Sequence, residues 1–189
     1  MRKMICFCLF LLPVILQGGE LSSGVSPNHK YSVEFKTVGG EFYYALVTIA
    51  NGEVLWQGKG TYQREKGAEE WALKQTANAE AHWREDSGAV AIDEANHRQM
   101  GTVLLVKIND DKGKLVPLDC KKIMAATKEP WERGRLFFIC WEKGRKAKVA
   151  LTGRLYHGSD NRFENRCYEL LVNVDANGEL EYSKSDIFP

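Results

Sequence analysis

The stretch Ala81–Ile108, AHWREDSGAVAIDEANHRQMGTVLLVKI, decides the fold. An apolar run ends in Trp83, breaks into the charged turn Arg84-Glu85-Asp86-Ser87-Gly88, restarts as AVAID and, after a polar loop, restarts again as TVLLVKI. Short β-branched runs divided by polar, glycine-bearing breaks predict antiparallel strands joined by turns. The pattern recurs along the chain. Trp83 followed by REDSGAVAI aligns with Trp141 followed by EKGRKAKVAL and with Val25 followed by SPNHKYSVEF; 83 minus 25 and 141 minus 83 both give 58. A fixed period of this length is the signature of a repeat architecture.

Each anchor is followed by the same series. A strand (Tyr31–Lys36, Ala89–Asp93, Lys148–Leu151) leads through a polar loop to a longer one, YYALVTI, TVLLVKI or YELLVNV. Hairpin signals come next at Asn51-Gly52, Lys112-Gly113 and Asn177-Gly178, the first and third reading as type I′ turns, and then a closing strand, EVLWQG, KLVPLD or ELEYSK. AEAHW and RLFFICW supply a leading strand ahead of Trp83 and Trp141, whereas the first unit is expected to lack one because the N-terminal segment takes its place. The expected fold is therefore mainly β, with three repeated antiparallel β-meander units of about 58 residues, at 25–60, 79–120 and 134–187. One or two short helical connections are expected, at AEEWALKQ (Ala68–Gln75) and at CKKIMAATKE (Cys120–Glu129), which Pro130 stops. Trp83 and Trp141 read as core anchors between sheets, with Trp56 and Trp71 in core or half-core positions. Phe42-Tyr43-Tyr44 beside Trp56 also has the composition of a stacking platform, but such clusters are more often core.

The turns Ser26-Pro27-Asn28-His29-Lys30 and Trp83-Arg84-Glu85-Asp86-Ser87-Gly88 resemble the W-S-P-D-G-like turns in β-propeller blades of the TolB and prolyl-oligopeptidase types. The first lacks the Trp, the second lacks the Pro, and WEKGRKA departs further. The resemblance implies blade-like sheets and a scaffold, without implying a reaction. Three units fall short of the four to eight blades that close a propeller. The sheets are then expected to close as a small barrel or sandwich, or to be completed by a second chain.

The N-terminus, MRKMICFCLFLLPVILQGG, has the layout of a secretory signal peptide: Arg2 and Lys3, an apolar run to Leu16, then Gly18 and Gly19. Residues 1–19 are assigned to it, with cleavage expected near Gly18–Ser23, and 20–189 to one domain in a secreted or periplasmic protein. No later segment is apolar enough to span a membrane. The chain has 26 Lys and Arg against 25 Asp and Glu, and losing Arg2 and Lys3 leaves 24 against 25. So balanced a charge carries no footprint for nucleic acid. Processing would also remove Cys6 and Cys8, leaving Cys120, Cys140 and Cys167, without the spacing of a zinc or thioredoxin-type centre. One disulfide plus one free thiol, or three buried reduced thiols acting as small hydrophobes, are the two expected states.

Candidate binding residues fall in the loops between the second and third strands of units two and three: Glu94, Asn96, His97 and Arg98, with Tyr156, His157, Asp160, Asn161 and Arg162. Equivalent loops of repeated sheets are expected on one face, where binding residues are commonly carried. No nucleophile elbow, P-loop or HExxH motif occurs, and no cofactor is implied. The expected function is a non-enzymatic binding module for a protein or cell-envelope partner, with self-association a further expectation. Two alternatives remain: a hydrolase, metal-assisted or not, using His97 and His157 with Asp160 or Glu94, and a structural subunit completing a larger β assembly.

Overall fold

The computed structural model describes residues 18–38, 41–60, 79–94, 102–143, 145–159, 161–175 and 179–183. Among them lie three antiparallel meanders of four strands each. Unit one comprises β1 (Gly18–Val25), β2 (Tyr31–Val38), β3 (Glu41–Thr48) and β4 (Val54–Lys59). Unit two comprises β5 (Glu80–Trp83), β6 (Ala89–Asp93), β7 (Val103–Asn109) and β8 (Lys112–Val116). Unit three comprises β9 (Trp131–Glu142), β10 (Lys146–His157), β11 (Arg162–Asn173) and β12 (Glu179–Ser183). A single parallel bridge, Ser22 opposite Glu80, joins β1 to β5, so units one and two run on as one eight-stranded sheet. The sheets do not close into a barrel.

The first unit does have a leading strand, contrary to expectation. The apolar N-terminal run stops at Leu16, and from Gly18 the chain is short-chained and polar enough to pair: Gly18, Gly19 and Glu20 lie opposite Lys36, Phe35 and Glu34. The expected processing region at Gly18–Ser23 therefore falls inside β1.

The 58-residue period is visible in hydrogen bonds. In the β1–β2 turn, Ser26 N donates to Tyr31 O and His29 N to Ser26 O; 58 residues on, Arg84 N donates to Ala89 O and Ser87 N to Arg84 O. The Asn28 side-chain oxygen accepts from Lys30 N, as Asp86 Oδ1 does from Gly88 N. These Asx contacts hold the next residue left-handed, with φ of 56° at His29 and 58° at Ser87, and the third turn repeats the twist at Arg145 with φ of 67°. The joints between units repeat as well. Trp83 Nε1 donates to Gly24 O at 2.9 Å, and Trp141 Nε1 donates to His82 O at 3.0 Å. Each tryptophan thus pins its unit to the leading strand of the unit before. Tyr31 stacks on Trp83, and Phe138 lies between His82 and Trp141. Val25 stands at the anchor position of unit one and is 38% exposed.

Two cores follow from strand alternation. Every residue of β6 is buried. Val90 and Ile92 face unit one and pack with Leu21, Val33, Tyr44 and Leu46. Ala89 and Ala91 face unit three and pack with Val149, Leu151, Leu170 and Val172. Small residues on one side let unit three come close, and each fully buried Val, Leu or Ile contributes about 1.5–3 kcal/mol. The second joint also carries charge. Buried Arg84 donates from Nε to Asp86 Oδ1 at 2.6 Å, and its Nη1 lies 3.6 Å from Asp175 Oδ1. Lys107 Nζ lies 3.6 Å from the Asp175 carboxylate, and Arg145 bridges Asp175 and Asp86 at 3.4 and 3.8 Å.

One helix among the described residues, α1 (Cys120–Thr127), links units two and three. Asp119 caps it by accepting from Lys121 N and Lys122 N, and left-handed Lys128 ends it before Pro130. The helix expected at Ala68–Gln75, with Trp71, lies outside the described residues, as does the turn at Asn177-Gly178. No described helix is long and apolar enough to cross a membrane. The two other expected hairpins differ in detail. Gly52 is left-handed but Asn51 is not, and Thr48 N donates to Glu53 O across a longer loop. In unit two, Asp110 and Asp111, with φ of 47° and 54°, make the tight turn, while Lys112 and Gly113 already belong to β8. Tyr44 is core, not platform, at 3% exposure.

The expected disulfide is not formed: Cys120, Cys140 and Cys167 are free thiols. The register excludes the Cys140–Cys167 pair. Cys140 lies opposite Lys148 of β10 and Cys167 opposite Thr152, so they sit two strands and four residues apart, roughly 16 Å between Cα atoms against the ~7 Å limit for a bridge.

Candidate functional site

β9, β10 and β11 are each twelve residues long, whereas β6 has five and β7 seven. Where β6 ends, Asp93 Oδ2 accepts from Phe138 N at 3.0 Å, and the third sheet runs on past this point. The overhang consists of Trp131–Phe137, Ala150–His157 and Arg162–Glu169.

Its inner side is closed by α1. The cross-strand pair Gly134–Gly153 opens a hollow: a Cβ on Gly134 would meet Met124 Sδ at 2.5 Å, and one on Gly153 would meet Arg133 O at 2.1 Å. Ile123 is fully buried there. Trp131 Nε1 donates to Thr127 Oγ1 at 2.7 Å, and Tyr168 OH donates to Glu129 Oε1 at 2.8 Å. These contacts tie the overhang to α1 and the turn that follows it.

The outer side is different. Paired residues of an antiparallel sheet share a face. Phe137 lies opposite Ala150, Arg135 opposite Thr152, Arg133 opposite Arg154, and Tyr156 opposite Phe163. One face therefore carries Arg133, Arg135, Phe137, Arg154, Tyr156 and Phe163. Tyr156 is 41% and Phe163 49% exposed, with ring centroids 5.1 Å apart. The Arg154 guanidinium lies 4.2 Å over the Phe163 ring, and that of Arg135 4.2 Å over Phe137. Arg154 also grips both oxygens of Glu132, through Nε to Oε2 and through Nη2 to Oε1 at 2.9 Å. That hydrogen bond, with the charges of Arg154 and Arg133, holds the Glu132 carboxyl below the usual carboxylate range against the opposing effect of burial. Among the described residues, neither Arg133 nor Arg135 has a carboxylate at ion-pair distance.

Four of the nine expected site residues meet here. Tyr156 OH donates to Asn161 Oδ1 at 3.2 Å across the hairpin end. His157 and Arg162 pair on the opposite face, where His157 Nε2 lies 3.2 Å from Glu164 Oε2 and Arg166 Nη2 lies 2.8 Å from Glu164 Oε1. Glu94 sits elsewhere, beside buried Tyr44. Burial first, then the charge and hydrogen bond of Glu94, push the Tyr44 phenol far above its ordinary range. Asn96, His97, Arg98 and Asp160 lie outside the described residues. The loop reading missed Glu132, Arg133, Arg135, Phe137, Arg154 and Phe163, which belong to strands. Their signal was the period-two alternation of RGRLFF, which sets Arg133, Arg135 and Phe137 on one side of β9.

Among the described residues no group of three or more His, Cys, Asp or Glu side chains is placed to hold a metal ion. No protein-family model matches the chain, and no curated protein is significantly similar to it.

Proposed function

We propose that the protein is a secreted or periplasmic binding module, without catalysis of its own, that holds a protein or cell-envelope partner on the outer face of the third unit. The observation that carries this reading is the pair Tyr156 and Phe163, two-fifths to half exposed on a rigid sheet with Arg154 stacked on it. Tyrosine and arginine are enriched in binding hot spots, tyrosine offering large contact area at small entropic cost and arginine a planar multi-donor head. Binding is favoured over hydrolysis because Glu94, one of the carboxylates the hydrolase reading needs beside the histidines, lies against Tyr44 of unit one instead. Blade-like sheets suit such a role as a scaffold.

A photo-crosslinking residue at position 163, in cells that export the protein, tests the reading. A discrete adduct is expected from 163, lost on Tyr156→Ala, and absent from a control at Leu115, which is similarly exposed but on β8. No adduct at 163, or the same adducts from 115, contradicts it.

A second reading, a subunit of a larger β assembly, is supported by the joint series. Gly24 and His82 accept the indole of the following unit, and Cys140 is the next residue in that series. Light scattering at rising protein concentration tests it: a concentration-dependent mass supports assembly and a constant monomer mass opposes it.

A further inference from the structure

We infer that β9 takes an extended acidic peptide as an added strand, with the peptide's alternate carboxylates on Arg133 and Arg135 and an apolar or aromatic residue beside Phe137. The inference rests on the binding reading above and names its partner class.

β9 is the edge strand of the third sheet. Irregularities frame its overhanging part: the pairing with β10 shifts between Lys148 and Val149 and again between Arg154 and Leu155, leaving Ile139 and Glu132 out of register. Between them Arg133–Phe138 forms a regular run. Its last residue, Phe138, gives its N–H to Asp93. For Arg133–Phe137 no described strand lies on the outer side. Such an edge offers a row of backbone donors and acceptors to an extended chain.

The side chains select the sign of that chain. Arg133, Arg135 and Phe137 follow one another at every second position, about 7 Å apart. Carboxylates at alternate positions of an extended peptide have the same spacing, so one acidic strand meets both guanidiniums in register. Glu132 makes an ion pair with neither, because Arg154 takes both of its oxygens. The Arg135 guanidinium lies over the Phe137 ring, and the planar fork of an arginine suits bidentate contact with a carboxylate. Tyr156 and Phe163 extend the apolar surface one and two strands away, respectively, on the same face. Arginines on an edge also repel a second copy of the same edge, so an acidic partner is admitted while self-pairing is disfavoured.

Fluorescence anisotropy with the full chain tests this, using a labelled twelve-residue probe of two Ser-Glu-Ser-Glu-Ser-Tyr repeats. Saturable binding is expected, weakening with salt, and about tenfold weaker for Arg133→Ser/Arg135→Ser with unchanged melting. The same peptide N-methylated at alternate residues is expected to lose binding, because it cannot complete the ladder. A probe with lysine for glutamate is expected not to bind. Equal affinity for the double variant or for the methylated probe overturns the inference, as does tighter binding of an oligouronate or single-stranded DNA of equal charge. If a neutral Ser-Tyr probe binds as well as the acidic one and depends on Tyr156 and Phe163, the acidic assignment fails while the binding face stands. If no probe binds, the inference is overturned, and crosslinking from position 163 separately decides whether the face binds at all.

Discussion

Substituting the two anchor tryptophans in parallel separates a repeated joint from ordinary core packing. Trp141 gives its indole N–H to His82 O at 3.0 Å and packs on Phe138 at 5.4 Å; Trp83 gives its own to Gly24 O at 2.9 Å and stacks on Tyr31 at 6.4 Å. Trp→Phe removes one neutral hydrogen bond, about 1 kcal/mol, and part of a half-buried ring, about 1 kcal/mol more. Trp→Ala empties the site and costs about 3 kcal/mol, the low end for a large core residue because both rings keep some exposure. In a chain of this size that shifts the melting temperature by roughly 6–12 °C. Val25, at the equivalent place but 38% exposed, is expected to cost no more than about 0.5 kcal/mol as Val25→Ala. Urea melts with unchanged slope give these values directly. If either Trp→Ala costs less than about 1 kcal/mol, or Val25→Ala costs as much as they do, the equivalence of the joints is wrong.

Three other outcomes follow. Gly153→Ala places a methyl against the Arg133 carbonyl and the Gly134 backbone and is expected to destabilise by at least about 2 kcal/mol, against about 0.5 kcal/mol or less for His157→Ala at the overhang's end; equal melts would contradict the close strand approach. Burial raises the Asp86 pKa, but the Arg84 hydrogen bond, the Gly88 N–H and the charges of Arg84 and Arg145 outweigh it and leave the carboxyl below the ordinary value. Its stabilisation is thus complete above the unfolded aspartate value near 3.9 and drains as pH falls through the folded one; Asp86→Asn should shallow the loss of stability below about pH 4, and an unchanged acid limb refutes the linkage. Thiol titration of denatured, unreduced protein from an exporting host should find Cys120, Cys140 and Cys167 all free, with an intact mass lacking about twenty residues. One free thiol, or a full-length mass, contradicts these two expectations respectively.

The repeat was legible because strands advertise themselves by alternation and because the turn chemistry at Asn28 and Asp86 is local. The leading strand of unit one was not, because GGELSSGV has little apolar pattern and is recruited by pairing with β2, a long-range contact. The Asp110-Asp111 turn was missed for a similar reason: aspartate tolerates the left-handed region less readily than glycine, and the adjacent Lys112-Gly113 offered a more obvious bend. The loop rule grouped Tyr156, His157, Asn161 and Arg162, which do lie together at one hairpin end, but placed Glu94 with them, and Glu94 instead lies beside Tyr44 of unit one. The aromatic–arginine face depends on which register β9 and β10 adopt. Their bulges at Glu132 and Ile139 cannot be read from alternation, since a one-residue shift exchanges the faces.

Hydrogen exchange of the tryptophan indoles, read by nitrogen–proton correlation spectra and assigned with Trp→Phe variants, tests the 58-residue joint most directly. The Trp83 and Trp141 Nε1–H signals are both expected to be protected, to similar extents, and Trp141→Phe is expected to leave Trp83 protected. An indole of either residue that exchanges at the rate of free tryptophan contradicts it.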